Sequence, residues 1–286
     1  MNADDPLLAQ VPSRRKVAAV PKKLVWFAIR AENPVVREAL AAGGTAYYVE
    51  NGIIYEAAGE GRRKILEVAA IPLTFGGTAT FQIANSMAAI AACRALGTGV
   101  AQIRAGLRSF SSGRDNPARA NLYAVKGGYF LFDYGHNTRA IEAISETAAN
   151  WPASIRTCIV GLPGDRADHI LQEAAQAVAR GFDRVIVRED CDLRGRAKGD
   201  APRLVVEAIR RERPDVEVEV IEEEFAAMDR AVGRMQPGEL VVAFCENCGG
   251  VRAYLERVGA IPASAFELEA ATKPSADRSP GRARVA

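Results

Sequence analysis

The sequence is poor in the features that would assign it to several common classes of protein. Its 286 residues include only two histidines and five cysteines, and the formal net charge is only +2. So small a charge gives no electrostatic reason to expect nucleic acid or a membrane surface as a partner. No apolar run approaches the roughly 18 residues that a membrane span needs, and the first residues lack the apolar core of a signal peptide. An odd number of cysteines in a chain of this length favours reduced thiols and a cytoplasmic location.

Several catalytic signatures are also missing. The sequence has no GxxxxGKS or GxxxxGKT phosphate loop, no GxGxxG fingerprint, no GxSxG nucleophile elbow and no HExxH zinc motif. CENC at 245–248 is a lone CxxC, so it does not support zinc, and we predict no metal site. Its cysteines are either a redox pair or, as we favour, two free thiols at the end of a strand. Nothing here indicates a self-contained hydrolase or metalloprotease.

From about residue 121 onward, short apolar runs alternate with amphipathic segments. Strands that alternate with helices of this length are typical of βαβ units and a mainly parallel sheet. KGG at 126–128 predicts a tight turn, so the first two strands of this region should be antiparallel. The predicted strands are NLYAVKGG, YFLFDY, RTCIVGL, DRVIVRED, VEVEVI and LVVAF.

The first 110 residues have a different pattern. LVWFAI, TAYYVENGIIYEAAG and RKILEVAAIPLTFGG predict strands joined by tight turns, with Asn51–Gly52 as a hairpin signal, and two helices follow in FQIANSMAAIAACRALG and GVAQIRAGLRSF. Residues 111–118 predict a linker, and the composition of 261–286 predicts a disordered tail. We therefore predict an α/β chain in three parts: 1–110, a Rossmann-like domain at 111–260, and the tail at 261–286.

FLFDYGHN, residues 130–137, is an apolar strand that ends in polar residues. In an open parallel sheet, the loops at the carboxyl ends of the strands form the ligand crevice. Asp133 could accept hydrogen bonds from ribose hydroxyls there, and the helix that follows His136 and Asn137 favours an anion at its amino end. The alternative is structural, with Asn137 capping the helix and Asp133 bonded locally.

Two further loops follow predicted strands and therefore fall at the same edge of the sheet. GLPGDRADHI, residues 161–170, can hold a carboxylate or phosphate near a helix start, or it is a turn with a capping aspartate. REDCDLRGRAKGD, residues 188–200, concentrates acids and arginines. Acids can bind a guanidinium or ammonium group, and arginine can bind a carboxylate in bidentate fashion. The alternative for this loop is a solvated segment with internal salt bridges.

The order of these motifs resembles that of the Mur ligases. The resemblance covers about residues 1–259 and implies that 1–110 is the C-terminal portion of the central ATP-binding domain. It likewise implies that 111–260 is the C-terminal Rossmann-like domain. The motifs general to Mur-type ligases are NADDP (2–6), IANSMAAIAACRALG (83–97) and DYGHN (133–137), with IPLTFGG (71–77) and NPARANL (116–122) matching beside them. PGDR (163–166) and EDCDLRGR (189–196) are similar to the cyanophycin synthetases within that superfamily.

The resemblance implies an ATP-dependent amide ligase, with ATP and Mg²⁺ as cofactors. ATP phosphorylates a carboxylate, and an amine then attacks the acyl phosphate. In cyanophycin synthetases the Mur-like module adds L-arginine to the side-chain carboxylates of a poly-aspartate backbone, so L-arginine and poly-aspartate are the implied substrates. The residues implied to bind the nucleotide are Asn85, Arg119, Asp133, His136 and Asn137, and those implied to bind the amino acid are Asp165, Arg166, Asp190, Asp192, Arg194 and Arg196. No catalytic residue is assigned.

The sequence departs from the family pattern at several points. It begins at NADDP, which in Mur ligases follows both the P-loop and a lysine that is often carbamylated to help hold magnesium. Thr138 replaces the usual proline, and NPAR replaces the commoner NPGR. We therefore expect that the chain does not catalyse ligation alone. We expect a companion chain that carries the P-loop and an ATP-grasp domain, and homo-oligomer formation stays open.

Two alternative functions stay open. The first is a non-catalytic binding or assembly module derived from a Mur ligase. The second is another Mur-type ligase with a peptidoglycan or folate substrate, which the EDCDLRGR loop disfavours. An adjacent reading frame with an ATP-grasp domain and a GTNGKT-like loop would favour the arginine-adding ligase, and a lone gene would favour the non-catalytic module.

Overall fold

Two β-sheets organise the residues that the computed structural model describes, which are 1–19 and 23–263. The strands are β1 (Val25–Ala28), β2 (Thr45–Glu50), β3 (Ile53–Ala58), β4 (Gly61–Glu67), β5 (Asn121–Val125), β6 (Gly128–Asp133), β7 (Arg156–Val160), β8 (Arg184–Val187), β9 (Glu217–Val220), β10 (Leu240–Phe244) and β11 (Ile261–Pro262). The first sheet has the order β1–β2–β3–β4, and the second has the order β11–β5–β6–β10–β7–β8–β9.

Helices surround both sheets. In chain order they are α1 (Pro6–Gln10), α2 (Arg15–Ala18), α3 (Pro34–Ala41), α4 (Thr80–Ala95), α5 (Val100–Ser109), α6 (Ser112–Asp115), α7 (Thr138–Ala149), α8 (Asp168–Gly181), α9 (Asp200–Glu212), α10 (Glu224–Arg234) and α11 (Cys248–Arg257). Within 1–19 and 23–263, no helix combines the length and the apolar character needed to cross a bilayer.

The first sheet confirms one turn prediction and corrects a strand prediction. Asn51 and Gly52 have φ values of 50° and 72°, as a two-residue turn between antiparallel strands requires, and they join β2 to β3. The predicted strand RKILEVAAIPLTFGG is a strand only as far as Glu67, because residues 68–77 form two short 3-10 segments instead. Phe75 and Gly76 adopt positive φ there, at 48° and 68°, which no strand accommodates.

The second sheet confirms the predicted α/β fold class with its mostly parallel sheet. Strands β6, β10, β7, β8 and β9 are parallel, while β5 pairs with β6 in the antiparallel sense. The β5–β6 turn uses Lys126 and Gly127 at φ values of 49° and 77°, as KGG predicts. Because the five parallel strands share one direction, their carboxyl ends and the loops that follow lie at one edge of the sheet.

The second sheet is buried on both faces. Leu131 of β6 packs on one face with residues of α7, α8 and α9, whereas its neighbours Phe130 and Phe132 pack on the other face with residues of α10 and α11. This alternation follows from the two-residue period of a strand. The core therefore holds the sheet firmly and fixes the position of the loops at its carboxyl edge.

Residues just before α4 also enter this core. Phe75 and Ala79 belong to the same apolar cluster as α7 and α8, and the Phe75 and Trp151 ring centroids are 5.6 Å apart. Thr80 Oγ1 donates a hydrogen bond to Glu146 Oε1 at 3.0 Å. The predicted domain boundary between residues 110 and 111 stays a prediction. Contacts cross it, because Phe75 and Thr80 lie before it and their partners Trp151 and Glu146 lie after it.

The segment predicted as a tail begins with ordered pairing. Ile261 and Pro262 form β11, antiparallel to β5 at the outer edge of the second sheet, and Ala263 N donates to Leu122 O at 3.0 Å. Residues 264–286, which make up the rest of the predicted tail, lie outside the described residues.

Gly128→Ala should destabilise the second sheet by about 2 kcal/mol, because overpacking a core costs this much. A Cβ at Gly128 would meet the backbone oxygen of Glu239 and would lie 2.7 Å from Met235 Cε. Gly233→Ala is a matched control, since a Cβ there meets nothing within 4 Å and alanine favours the helix. Urea denaturation of both variants checks the prediction, and equal midpoints would contradict it.

Candidate functional site

Two cavities lie at the carboxyl edge of the second sheet. The first, called the acidic cavity below, has a volume of about 530 Å³ and lies at the ends of β8 and β10 beside the start of α10. The second, called the helix-start cavity, has a volume of about 280 Å³ and lies at the starts of α7 and α8. The acidic cavity is lined by Arg188, Glu189, Asp190, Cys191, Leu193, Lys198, Glu222, Glu223, Glu224, Phe225, Glu246 and Asn247.

A buried arginine organises the acidic cavity. The Arg188 side chain is only 3% exposed and forms salt bridges with Glu246 and, at 3.6 Å, with Glu224. Its Nη2 also donates to the backbone oxygen of Phe244 at 3.2 Å, while Nε has no hydrogen-bond partner. A buried cation needs such partners because burial removes its hydration. Arg188 therefore holds the loop after β10 against the loop after β8.

Gly161 gives Arg188 the space that it occupies. A Cβ at position 161 would lie 2.8 Å from Arg188 Cζ and 2.9 Å from its Cγ. A side chain at this position would displace the guanidinium group. The first glycine of GLPGDR thus serves packing against the neighbouring strand end.

Asp190 and Glu246 are the two interacting acids of the acidic cavity. Burial raises the pKa of Asp190, and the charge of the nearby Glu246 raises it further. A hydrogen bond from Asp192 N to Asp190 Oδ1, 2.9 Å long, lowers this pKa in part. Burial alone would raise the pKa of Glu246 as well, but hydrogen bonds from Cys191 and Arg188 outweigh it, so that pKa is lowered. Glu246 is therefore the ionised partner, and Asp190 is the carboxyl group that gains a proton first.

Cys191 adds a thiol to this pair. Its Sγ donates to Glu246 Oε2 at 2.8 Å, and this hydrogen bond to a carboxylate raises the pKa of the thiol. The ligand atoms of Asp190, Cys191 and Glu246 all lie within 4.8 Å of one another. The two carboxyl groups concentrate negative charge at this spacing, which a cationic ligand would neutralise, while the thiol with its raised pKa adds no charge.

The other acids of the cavity have local partners. Glu189 Oε2 accepts from Gly199 N at 2.6 Å, and Glu222 pairs with Lys198 at 2.7 Å. Glu223 caps α10 by accepting from the backbone N–H groups of its first turn. Glu224 accepts from Glu246 N at 3.0 Å. These bonds shape the cavity around Asp190 and Glu246, of which Glu246 already pairs with Arg188 and accepts from Cys191.

The helix-start cavity contains part of the predicted nucleotide site. His136 and Asn137 line it together with Arg139 and Arg166. Asn137 caps α7 by accepting from Ala140 N at 3.0 Å, and His136 Nδ1 lies 3.1 Å from Tyr134 O. The cavity thus combines basic side chains with the starts of two helices, an environment that favours an anion.

Asp133 and Arg119 lie beside this cavity without lining it. Asp133 is buried, and its Oδ2 accepts from Ala120 N at 2.8 Å. Burial raises the pKa of this carboxyl group, while the Ala120 N–H and the Arg119 charge offset part of the shift. Arg119 Cζ lies 5.7 Å from the centroid of the Tyr134 ring. The hydrogen bond from Ala120 N matches the structural alternative for Asp133, and a role in nucleotide binding stays a prediction for both residues.

Asn85 lies in a different place. It lines an apolar cavity of about 360 Å³ between α4 and α5, and its Nδ2 donates to Gln82 Oε1 at 3.1 Å. None of the other predicted site residues lines this cavity. The structure therefore does not bring Asn85 together with His136 and Asn137 at one cavity.

The residues predicted to bind the amino acid are divided between several environments. Asp190 lines the acidic cavity and Arg166 lines the helix-start cavity. Arg194 Nη1 pairs with Asp165 Oδ2 at 3.4 Å, and its Nε lies 3.8 Å from Asp192 Oδ2. These ion pairs match the alternative of internal salt bridges, and they leave the Asp192 side chain 77% exposed.

Arg196 connects two loops through all of its donor groups. Its Nε donates to Gly164 O at 2.9 Å, Nη2 donates to Arg166 O at 2.7 Å, and Nη1 pairs with Asp168 at 2.9 Å. With these partners the guanidinium group fastens residues 164–168 to the loop after β8. Its predicted role in binding substrate stays a prediction, and its observed contacts are structural.

Sequence reasoning missed Glu246 and Glu224, and it included Arg188 in the 188–200 loop without giving it a role. A signal for Glu246 was present, because CENC directly follows the strand LVVAF and so falls at the same edge as the other loops. The expectation of two free thiols in this motif was wrong, since Cys245 and Cys248 form a disulfide. Cys93, Cys158 and Cys191 are free.

Comparison with known proteins gives consistent matches. Residues 118–246 match the family model of the Mur ligase, glutamate ligase domain. The chain is 37% identical over 248 residues to the cyanophycin synthetase of Synechocystis sp., covering 86% of this chain and 28% of that protein. It is 34% identical over 258 residues to the cyanophycin synthetase of Geminocystis herdmanii, covering 90% of this chain and 29% of that protein. The chain thus spans less than a third of these relatives.

Among solved structures, the fold is similar to that of the Mycobacterium tuberculosis folylpolyglutamate synthase complexed with ADP. The TM-score is 0.55 at 18% sequence identity, and the match covers 90% of this chain and 60% of that one. Identity this low supports the fold alone.

Proposed function

We propose that this chain, whose residues 118–246 match the Mur ligase, glutamate ligase domain, is part of an ATP-dependent ligase that joins L-arginine to the side-chain carboxylates of poly-aspartate. The observation that carries this proposal is the Asp190–Glu246 pair in the acidic cavity. Its excess negative charge suits a guanidinium group. The similarity to cyanophycin synthetases supports the same choice of substrate.

Arginine would bind with its guanidinium group between Asp190 and Glu246. Burial and the Glu246 charge raise the pKa of Asp190 in the free protein, and a bound guanidinium group would oppose this shift by stabilising the carboxylate. Lys198 also lines the cavity and would exchange its salt bridge with Glu222 for one with the α-carboxylate of the ligand. The volume of about 530 Å³ falls in the range of small-molecule sites. Asp190, Glu246 and Lys198 would together orient the α-amine of the bound arginine for attack on an activated carboxylate.

The helix-start cavity fits an anionic group such as a phosphate. When bound, ATP would supply the phosphoryl group that activates the aspartate carboxylate. Arg139 and Arg166 would neutralise phosphate charge there, while Asn137 holds the start of α7. Mg²⁺ does not fit this cavity, because the one group of potential metal ligands within residues 1–19 and 23–263 lies in the acidic cavity. We propose that the magnesium ligands and the P-loop are supplied from outside residues 1–286 and that the reaction takes place in the cytoplasm.

The first experiment is isothermal titration of the purified chain with L-arginine, L-citrulline and, separately, ATP–Mg²⁺. We expect arginine to bind with a dissociation constant between about 1 μM and 1 mM, the usual range for enzyme substrates. Citrulline has the same shape without the charge, so it should bind at least about tenfold more weakly, as the loss of a charge-assisted hydrogen bond costs that much. ATP–Mg²⁺ should bind weakly without the P-loop.

Other outcomes would point elsewhere. Equal binding of arginine and citrulline would overturn the role of the acidic pair. Binding of L-glutamate in place of arginine would favour a ligase with a folate-type substrate. Binding of no ligand at all would favour a non-catalytic assembly module.

A further inference from the structure

We propose that the Cys245–Cys248 disulfide is a redox-active pair that sets the affinity of the acidic cavity for its amino-acid ligand. The oxidised chain would bind the ligand more tightly than the reduced chain. The identity of the ligand rests on the proposed function above, whereas the redox chemistry of the pair does not.

The position of the disulfide carries this inference. Cys245 directly follows β10, and Cys248 is the first residue of α11. The two residues between them, Glu246 and Asn247, both line the acidic cavity. The disulfide therefore closes a small ring around two residues of the cavity, with Cα atoms 5.6 Å apart at its base.

The residues inside the ring are the ones that orient the cavity. Glu246 forms the salt bridge with buried Arg188 and accepts from Cys191, and Asn247 Oδ1 caps α11 by accepting from Gly250 N at 3.0 Å. With the disulfide intact, a covalent bond limits the motion of this loop. After reduction, only non-covalent contacts hold Glu246 in place.

The pair is accessible to exchange from one side. Cys245 is buried, but Cys248 is partly exposed, so an external thiolate would reach Cys248 Sγ. In reduction by an external dithiol, its first thiolate attacks Cys248 Sγ, and the electron pair of the broken S–S bond passes to Cys245, which takes a proton. The second thiol of the dithiol then attacks the mixed disulfide, releases Cys248 and closes the dithiol's own disulfide.

The reduced state has a reason to persist. Cys248 begins a helix of ten residues, and a thiolate at the amino end of a helix is favoured. Reduction would free the loop, so ligand binding would have to order Glu246 again. Ordering one side chain on binding weakens affinity by about fivefold. This predicts a ratio of about five between the dissociation constants for arginine of the reduced and oxidised chains.

The test uses the full chain equilibrated in dithiol–disulfide buffers. Alkylation under denaturing conditions followed by mass spectrometry should count three reactive cysteines in the oxidised chain, matching the three free ones, and all five in the reduced chain. Titration with L-arginine in each buffer should show the fivefold loss on reduction. Cys248→Ser should bind as weakly as the reduced chain in both buffers, and Cys245→Ala should behave in the same way. Cys93→Ser is the control and should keep the difference.

The outcomes separate the two proposals. Five reactive cysteines in the oxidised buffer would overturn the redox pair. Three reactive cysteines with equal arginine affinity in both buffers would overturn its effect on the cavity. If arginine binds in neither buffer, the proposed function is contradicted. Hydrogen exchange of residues 245–250 would then measure the effect of reduction on the loop. Equal exchange rates in the oxidised and reduced chains would overturn the inference.

Discussion

Asp190→Asn should weaken L-arginine binding by about 10- to 100-fold, because a hydrogen bond between a charged donor and a charged acceptor is lost. Asp190 is a buried acid that lines the cavity, and asparagine keeps its shape and can still accept from Asp192 N. The fold should therefore be retained. Any weak binding of ATP–Mg²⁺ at the helix-start cavity should change by less than about twofold, because Asp190 does not line that cavity. Calorimetric titration of each ligand measures both effects.

Asp192→Asn is the matched control for this variant. It removes the same charge two residues away, but its side chain is 77% exposed and outside the cavity. An exposed charge contributes little to binding, so we expect a change below about threefold. An equal loss in the two variants would show that the net charge of the loop, and not the Asp190–Glu246 pair, attracts the ligand.

The pH dependence of binding provides an independent check on Asp190. Burial raises the pKa of Asp190, and Glu246 raises it further against the opposing charge of Arg194. Arginine keeps its own charge throughout this range. Affinity should therefore increase as pH rises through the raised pKa of Asp190, since only the ionised carboxylate binds the guanidinium group. Asp190→Asn should remove this increase, and a wild-type pH profile in the variant would contradict the assignment.

Arg188→Met should destabilise the chain by about 3 kcal/mol, because removing one partner of a buried ion pair leaves uncompensated buried charge. The Arg188 side chain is 3% exposed, and those of its partners Glu224 and Glu246 are 12% and 30% exposed. Methionine fills similar space without the charge. The midpoint of urea denaturation measures the loss, and Arg203→Met on the surface of α9 should change it by less than about 0.5 kcal/mol.

A double-mutant cycle separates charge from packing in this effect. If Glu246 is ionised mainly because Arg188 is near, the second change Glu246→Gln should restore part of the stability lost in Arg188→Met. Purely additive losses would mean that the Arg188 stem contributes through packing alone. In that case the salt bridge would not explain why the loops after β8 and β10 meet.

The sequence predicted the fold well where periodicity and turn chemistry agreed. The two-residue hairpins at Asn51–Gly52 and Lys126–Gly127 were readable because only a few residues favour positive φ. The segment after Glu67 was not readable, since an apolar run does not distinguish a strand from a 3-10 turn. Phe75 at positive φ is an outcome of tertiary packing that no local pattern indicates.

The candidate site was predictable at the level of loops and not of side chains. Strand ends correctly placed 188–200 at the carboxyl edge of the sheet, but spacing could not show that Asp190 lines the cavity while Arg196 does not. The partners of Arg196 include two backbone oxygens of another loop, those of Gly164 and Arg166, and these cannot be read from side-chain types. Glu246 was overlooked because the cysteines beside it suggested a different chemistry.

The Phe75 ring sets a mechanical limit on relative rotation of the two sheets. Any swing about residues 111–118 that separates α4 from α7 must withdraw this ring from the cluster that contains Trp151, and exposing one phenylalanine costs about 2 kcal/mol. It must also break the hydrogen bond between Thr80 and Glu146. Separation of the two sheets is thus opposed by these two contacts and not only by the stiffness of the chain at residues 111–118. The most accessible movements would be those that pivot on Phe75 itself.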